Sequence, residues 1–150
     1  MNSFARSSVT VAVRTAELLT VLGLQDAEAT LVADYSTGMR KKLSLAAALL
    51  HGPRLLVLDE PFESVDPVAA ATVRGILGRF VARGGSVVMS SHVMALVEQC
   101  CDHVAVMSAG KVVSAGPIDQ VRLGGTLDEA FAQLVGTTDV SEGALSWLNA

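Results

Sequence analysis

Residues Leu55–Glu60 read LLVLDE. Four apolar residues running into two adjacent carboxylates predict a buried strand that delivers Asp59 and Glu60 to a sheet edge. Two acids at the end of such a strand are costly unless they meet a cation, hydrogen-bond donors or solvent. Carboxylates in that position commonly manage a magnesium ion and an attacking water.

Working outward, three further stretches punctuate the chain. YSTGM (Tyr35–Met39) lies upstream, with ESVDP (Glu63–Pro67) and SSH (Ser90–His92) downstream. Ser36 is a natural N-cap for a helix over 37–50, and Gly52-Pro53 stops that helix before the strand. The free N–H groups at such a helix start form a ready anion site. Asp66 followed by Pro67 marks a second capped helix, which should run to about Arg83 and end at Gly84-Gly85. SVVM (Ser86–Met89) reads as a second buried strand, and 93–100 as a short helix. Strands at 104–107 and 112–114 flank Ala109-Gly110 as a hairpin. At the front, RTAELLTVL (Arg14–Leu22) has apolar residues at helical spacing before Gly23. Strand, helix, strand with apolar runs implies parallel pairing through a right-handed crossover. The expected class is α/β: a parallel sheet core, a preceding helical segment and a C-terminal hairpin.

The chain has 150 residues, enough for one core, with net charge −4 and 51% hydrophobic residues. That charge argues against a nucleic-acid surface; the one basic cluster, Arg40-Lys41-Lys42, reads as a solvated helix face. No apolar run reaches the ~18 residues of a membrane span. The N-terminal stretch between Arg6 and Arg14 is too short for a signal peptide, so cytosolic residence is the expectation. Cys100 and Cys101 are adjacent and could not staple distant segments together; reduced, partly buried thiols are expected.

Taken in order, the four motifs resemble the ATP-binding domain of ABC transporters, from just before its signature motif to its C-terminus, over about 14–136. The resemblance makes this a partial P-loop NTPase fold. It implies a helical segment with the signature motif at 14–52 and a Walker B to C-terminal region at 53–136. Residues 137–150 form a tail with no assigned role. It further implies that Asp59 holds Mg²⁺ through water and that Glu60 polarises the attacking water. His92 would be the switch histidine that contacts the γ-phosphate. The signature segment, here Tyr35, Ser36, Thr37, Gly38 and Met39, would cover the γ-phosphate of ATP held by a partner subunit. Its usual wording is LSGGQ; Thr37 replaces the first glycine and Met39 the glutamine, as in the YSxGM form of drug-efflux ATPases. Ser64 and Asp66 would lie in the loop that crosses the dimer interface, and Asp66 can equally serve as helix cap. GTLDEAF (Gly125–Phe131) resembles the TLEDVF segment of drug and antibiotic exporter ATPases. It reads as a Thr-capped amphipathic helix with Leu127, Phe131 and Leu134 on one side.

No G-x-x-x-x-G-K-[ST] phosphate loop occurs in these residues. Gly110-Lys111 is the one Gly-Lys pair, followed by Val112 and with Ala105 five positions before the glycine. Nor does the family's glutamine loop, which reaches the transmembrane partner, appear. A positioned general base contributes ~10²–10⁴ in rate, whereas positioning the reactants can contribute roughly 7–11 kcal/mol. The expectation is therefore an ATP-binding and ATP-hydrolysing subunit of an ABC-type exporter, N-terminally truncated and inactive alone. ATP and Mg²⁺ would bind fully only with a phosphate loop from another chain or a missing segment. Expected partners are a second ATP-binding subunit packed head to tail and a transmembrane permease, which would hold the protein at the inner face of the membrane. An alternative is a non-catalytic module that pairs with a complete subunit through its signature helix. The DNA-repair and chromosome-structure branch would need long heptad segments, and none is present. In the family sheet a further strand lies between SVVM and the 104–107 strand; without it the two would close up or expose apolar faces.

Overall fold

The computed structural model describes residues 3–136, so the tail at 137–150 lies outside the described residues. The elements run α1 (Ser3–Val21), two 3₁₀ turns (Gln25–Ala27, Val32–Asp34), α2 (Thr37–Leu50), β1 (Leu55–Leu58), α3 (Pro67–Ala82) and β2 (Ser86–Met89). They continue with α4 (Met94–Cys100), β3 (His103–Ser108), β4 (Lys111–Pro117), α5 (Ile118–Val121) and α6 (Leu127–Val135). The chain divides into two compact units, the first ending at His92 and the second beginning at Val93.

In the first unit β1 and β2 pair in parallel, from Leu55 opposite Ser86 to Leu58 opposite Met89. The ladder continues at both ends, where Ser86 N–H donates to the Arg54 carbonyl and Ser90 N–H to that of Leu58. α3 is the crossover, opened by Asp66, whose carboxylate accepts from the N–H groups of Val68 and Ala69 at 3.0 and 2.9 Å. Leu56, Val73 and Leu77 are buried, α3 packs against β2, and α1 packs against α2. Arg14 of α1 donates to the Leu50 carbonyl, satisfying one of the last acceptors of α2.

The expectation of fully buried strands is corrected here. Leu56 is 3% exposed, but Leu55 is 54%, Val57 73% and Val88 57% exposed. Side chains alternate along a strand, and a two-stranded sheet covered on one face leaves its other face open. Val57 and Val88 are register partners on that open face.

The second unit contains an antiparallel hairpin, β3 with β4, bulged between Val106 and Met107. Its two-residue turn places Ala109 at φ 48° and Gly110 at φ 73°, the left-handed pair that matches strand twist. Val97, Val106, Val121 and Leu127 form its core, with Phe131 packed alongside. Thr126 and Glu129 make a reciprocal capping box at the start of α6. Leu127 is fully buried, whereas Leu134 of the same helix is 38% exposed; α4, against which α6 lies, is only seven residues long.

Burying one Val side chain is worth about 1.5–3 kcal/mol, and a parallel sheet is ordinarily covered on both faces. The isolated chain should therefore self-associate, and Val57→Thr with Val88→Thr should shift it toward monomer while keeping strand propensity. Size-exclusion chromatography with light scattering tests this; a clean monomer for the unaltered chain would count against it.

Candidate functional site

All the motif residues expected to carry chemistry lie in the first unit. The parallel register decides their placement. Because Leu58 pairs with Met89, the next residues, Asp59 and Ser90, are brought side by side. The Ser90 hydroxyl donates to Asp59 Oδ1 and accepts from the Glu60 N–H at 3.0 Å. One serine thus ties both acidic positions to the end of β2.

Glu60 turns its carboxylate to His92, with Oε1 2.8 Å from the imidazole Nδ1. That hydrogen bond, reinforced by the carboxylate's charge, raises the His92 pKa above its ordinary value. The Glu60 backbone sits at φ 44°, a left-handed conformation that costs a side-chain-bearing residue roughly 1–2 kcal/mol. Its carbonyl accepts from Lys41 Nζ at 2.6 Å and from the Glu63 N–H at 3.2 Å. Lys41 also pairs with Glu63 Oε2 at 3.0 Å. Strand end, following strand and α2 therefore all converge on one residue.

The start of α2 is built as expected. Ser36 Oγ accepts from the Met39 N–H at 3.2 Å, leaving the first-turn N–H groups of Thr37 and Gly38 without intrahelical acceptors. A hollow of about 320 Å³ opens there, lined by Ser36, Thr37, Gly38, Lys42, Ser64 and Asp66 among others. A Cβ on Gly38 would stand 3.0 Å from the Ser64 carbonyl oxygen, so this position favours glycine for close approach. Asp66 caps α3 at the rim, and the hydrogen bond from the Ala69 N–H leads the effects that lower its pKa. Tyr35 points inward instead: it is 6% exposed and its hydroxyl donates to the Ala27 carbonyl at 2.9 Å. Arg40 reaches back to the Tyr35 carbonyl and, at 3.3 Å, to the Thr37 hydroxyl. A second cleft of about 300 Å³ runs from Asp59 past Val57 and Val65 to Lys41, Lys42 and Leu45.

The structure thus brings Asp59, Glu60 and His92 together, and separately Ser36, Thr37, Gly38, Ser64 and Asp66. Two contributors were missed in the sequence. Ser90 is legible once the strands are aligned end to end, since it then falls beside Asp59. Lys41 reads in sequence as part of a solvated face, although its spacing of three from Gly38 puts both on one side of α2.

The ABC transporter family model matches residues 2–63. The bacitracin transport ATP-binding protein of Bacillus licheniformis is 36% identical over 71% of this chain and 35% of its own length. The fluoroquinolones export ATP-binding protein of Mycobacterium tuberculosis is 40% identical over 65% of this chain and 33% of its own. A solved ATP-binding subunit of an ABC transporter superposes with TM-score 0.79 at 29% identity, covering 84% of this chain and 55% of that one. The chain belongs to the ABC transporter ATP-binding family, and its fold is part of the α/β fold of that family's ATP-binding domain. It spans about a third of the length of these curated relatives.

The raised His92 pKa means that its pairing stabilises the fold fully below the ordinary imidazole value, about 6.5. The contribution is lost as pH rises through the folded-state value. Glu60→Gln should return His92 toward the ordinary value and remove this pH dependence, as read from imidazole NMR shifts and thermal melts across pH. For Asp66 the sign is opposite: its lowered pKa favours folding above the ordinary carboxylate value and the benefit fades in acid. Asp66→Asn should flatten the acid limb of the melting profile.

Proposed function

We propose that the chain supplies the signature helix, the acidic strand end and the switch histidine of an ATP-hydrolysing ABC exporter subunit. The observation that carries this reading is the convergence of Asp59, Ser90, Glu60 and His92 at the end of a parallel strand pair. Asp59 is an exposed carboxylate at that end, and among the described residues no group of three or more His, Cys, Asp or Glu could hold a metal ion. One carboxylate fits Mg²⁺, which keeps several waters and takes its remaining ligands from substrate phosphates. When bound, the ion would neutralise charge on those phosphates.

In this reading Glu60 orients and polarises the attacking water, and His92, held by Glu60, donates toward the γ-phosphate. The N–H groups at the start of α2, with Ser36 and Gly38, face the γ-phosphate of a nucleotide held by a second ATP-binding subunit packed head to tail. Thr37 and Met39 shape that mouth, Tyr35 holds the segment from inside, and Asp66 steers the adjoining loop. The groups that cradle the β- and γ-phosphates come from outside these 150 residues, and the chain by itself should release phosphate from ATP only at background. No helix among the described residues is long and apolar enough to cross a membrane. A cytoplasmic position against a transmembrane permease accords with the exporter names of the relatives.

The test pairs this chain with a complete cognate subunit, itself hydrolysis-deficient so that ATP persists. Ser36→Arg, which puts bulk and charge at the helix mouth, should abolish ATP-dependent co-purification, while Glu60→Gln should leave it nearly unchanged. The reverse pattern would refute the head-to-tail reading. Phosphate release by the isolated chain that vanishes in Glu60→Gln would refute its inactivity.

A further inference from the structure

Lys41 reaches from the second turn of α2 to the carbonyl of Glu60, 2.6 Å away, and to Glu63 at 3.0 Å. It joins the helix that carries Ser36 and Gly38 to the residue that faces the strand-end chemistry. Glu60 has two local reasons to leave its conformation. It bears a side chain at φ 44°, and it precedes Pro61, whose ring pushes the residue before it toward extended backbone. Relaxation to extended backbone would swing the carboxylate away from Nδ1 of His92. Against this stand the Ser90 hydroxyl on its N–H, the Glu63 N–H on its carbonyl, and the Lys41 ammonium on the same carbonyl. Of these, the ammonium contributes a charge-assisted hydrogen bond. Its side chain is 24% exposed, so water competes with it only in part.

We infer that Lys41 is a positioning residue that holds the Glu60 backbone in its left-handed form, keeping the Glu60 carboxylate on His92 and linking that pair to the signature helix. The inference rests on the reading of Glu60 as the residue that polarises the attacking water. Its geometric content can nevertheless be tested with no nucleotide present.

The experiment is NMR on the full chain, carrying Val57→Thr and Val88→Thr for solubility, with Lys41→Met, Lys41→Arg and Glu60→Gln compared against it. A strong intraresidue amide-to-Hα contact reports left-handed backbone at Glu60, and the imidazole shifts of His92 report its pairing. Lys41→Met should weaken the Glu60 contact and lower the His92 pKa toward that of Glu60→Gln, and Lys41→Arg should restore both. The sign is diagnostic. Lys41's own charge lowers the His92 pKa, so if Lys41 acted by its field alone, Lys41→Met would raise it. A rise, or an unchanged Glu60 contact, overturns the proposal. Should Lys41→Met not fold, the ammonium of Lys41 in the unaltered side chain decides. Slow exchange with coupling to the Glu60 carbonyl supports the link, and exchange like that of a free lysine overturns it. Because no ATP is used, a negative result here is separate from failure of the hydrolysis reading, which phosphate release by the reconstituted pair addresses.

Discussion

Parallel pairing of Leu55–Leu58 with Ser86–Met89 is the constraint on which the strand-end site depends. It aligns the two strand ends, so that residues about thirty positions apart meet within hydrogen-bond reach. A one-residue slip would turn Leu56 to the open face and separate Ser90 from Asp59. Asp59, Glu60 and His92 would then be three exposed polar side chains with no common geometry.

Around that register the molecule places strain and its compensation together. The left-handed Glu60 would relax if isolated, yet partners from β1's own turn, the end of β2 and α2 meet on its N–H, carbonyl and carboxylate. Over-determination of this kind is how a sparsely populated backbone state persists in a fold. The close approach of Gly38 to the Ser64 carbonyl is a second point where α2 meets the same loop, and Ser64 is also left-handed. The start of α2 and the Glu60–Asp66 loop therefore touch at two places one helical turn apart.

The open face of the β1–β2 sheet bears on how far the domain is complete in these residues. Val57 and Val88 sit opposite each other with most of their surface in water, an arrangement ordinary for an edge hairpin and unusual for parallel strands. The chain covers 55% of the solved subunit it superposes on. Both observations agree with a sheet whose remaining cover is supplied by other residues, as the lack of a phosphate loop in the sequence does for the nucleotide.

Much of the fold was legible from local signals. Ser36, Asp66 and Thr126 cap their helices as their types and positions dictate, and β1, β2 and α2 begin and end where the apolar runs, Gly52-Pro53 and Gly84-Gly85 place them. The identities of Asp59, Glu60 and His92 as a group were readable too, through the order of motifs. Burial of Leu55 and Val57 was misread, because an apolar run does not say whether a second layer is present. Lys41 and Ser90 were invisible as site residues for a related reason. A lysine on a helix and a serine after a strand are ordinary in sequence, and they acquire a role only when α2 and β2 are brought against Glu60. The sequence by itself determined α2, α3, β1 and β2, the caps of the helices that Ser36, Asp66 and Thr126 open, and the family, because those depend on neighbouring residues and on motif order; the start of α1 at Ser3, the two 3₁₀ turns and α5 were not among them. The tertiary structure alone decided which face of the sheet is open, that Tyr35 points inward and what holds Glu60, because these are set by contacts between residues 8 to 32 positions apart and by what covers them.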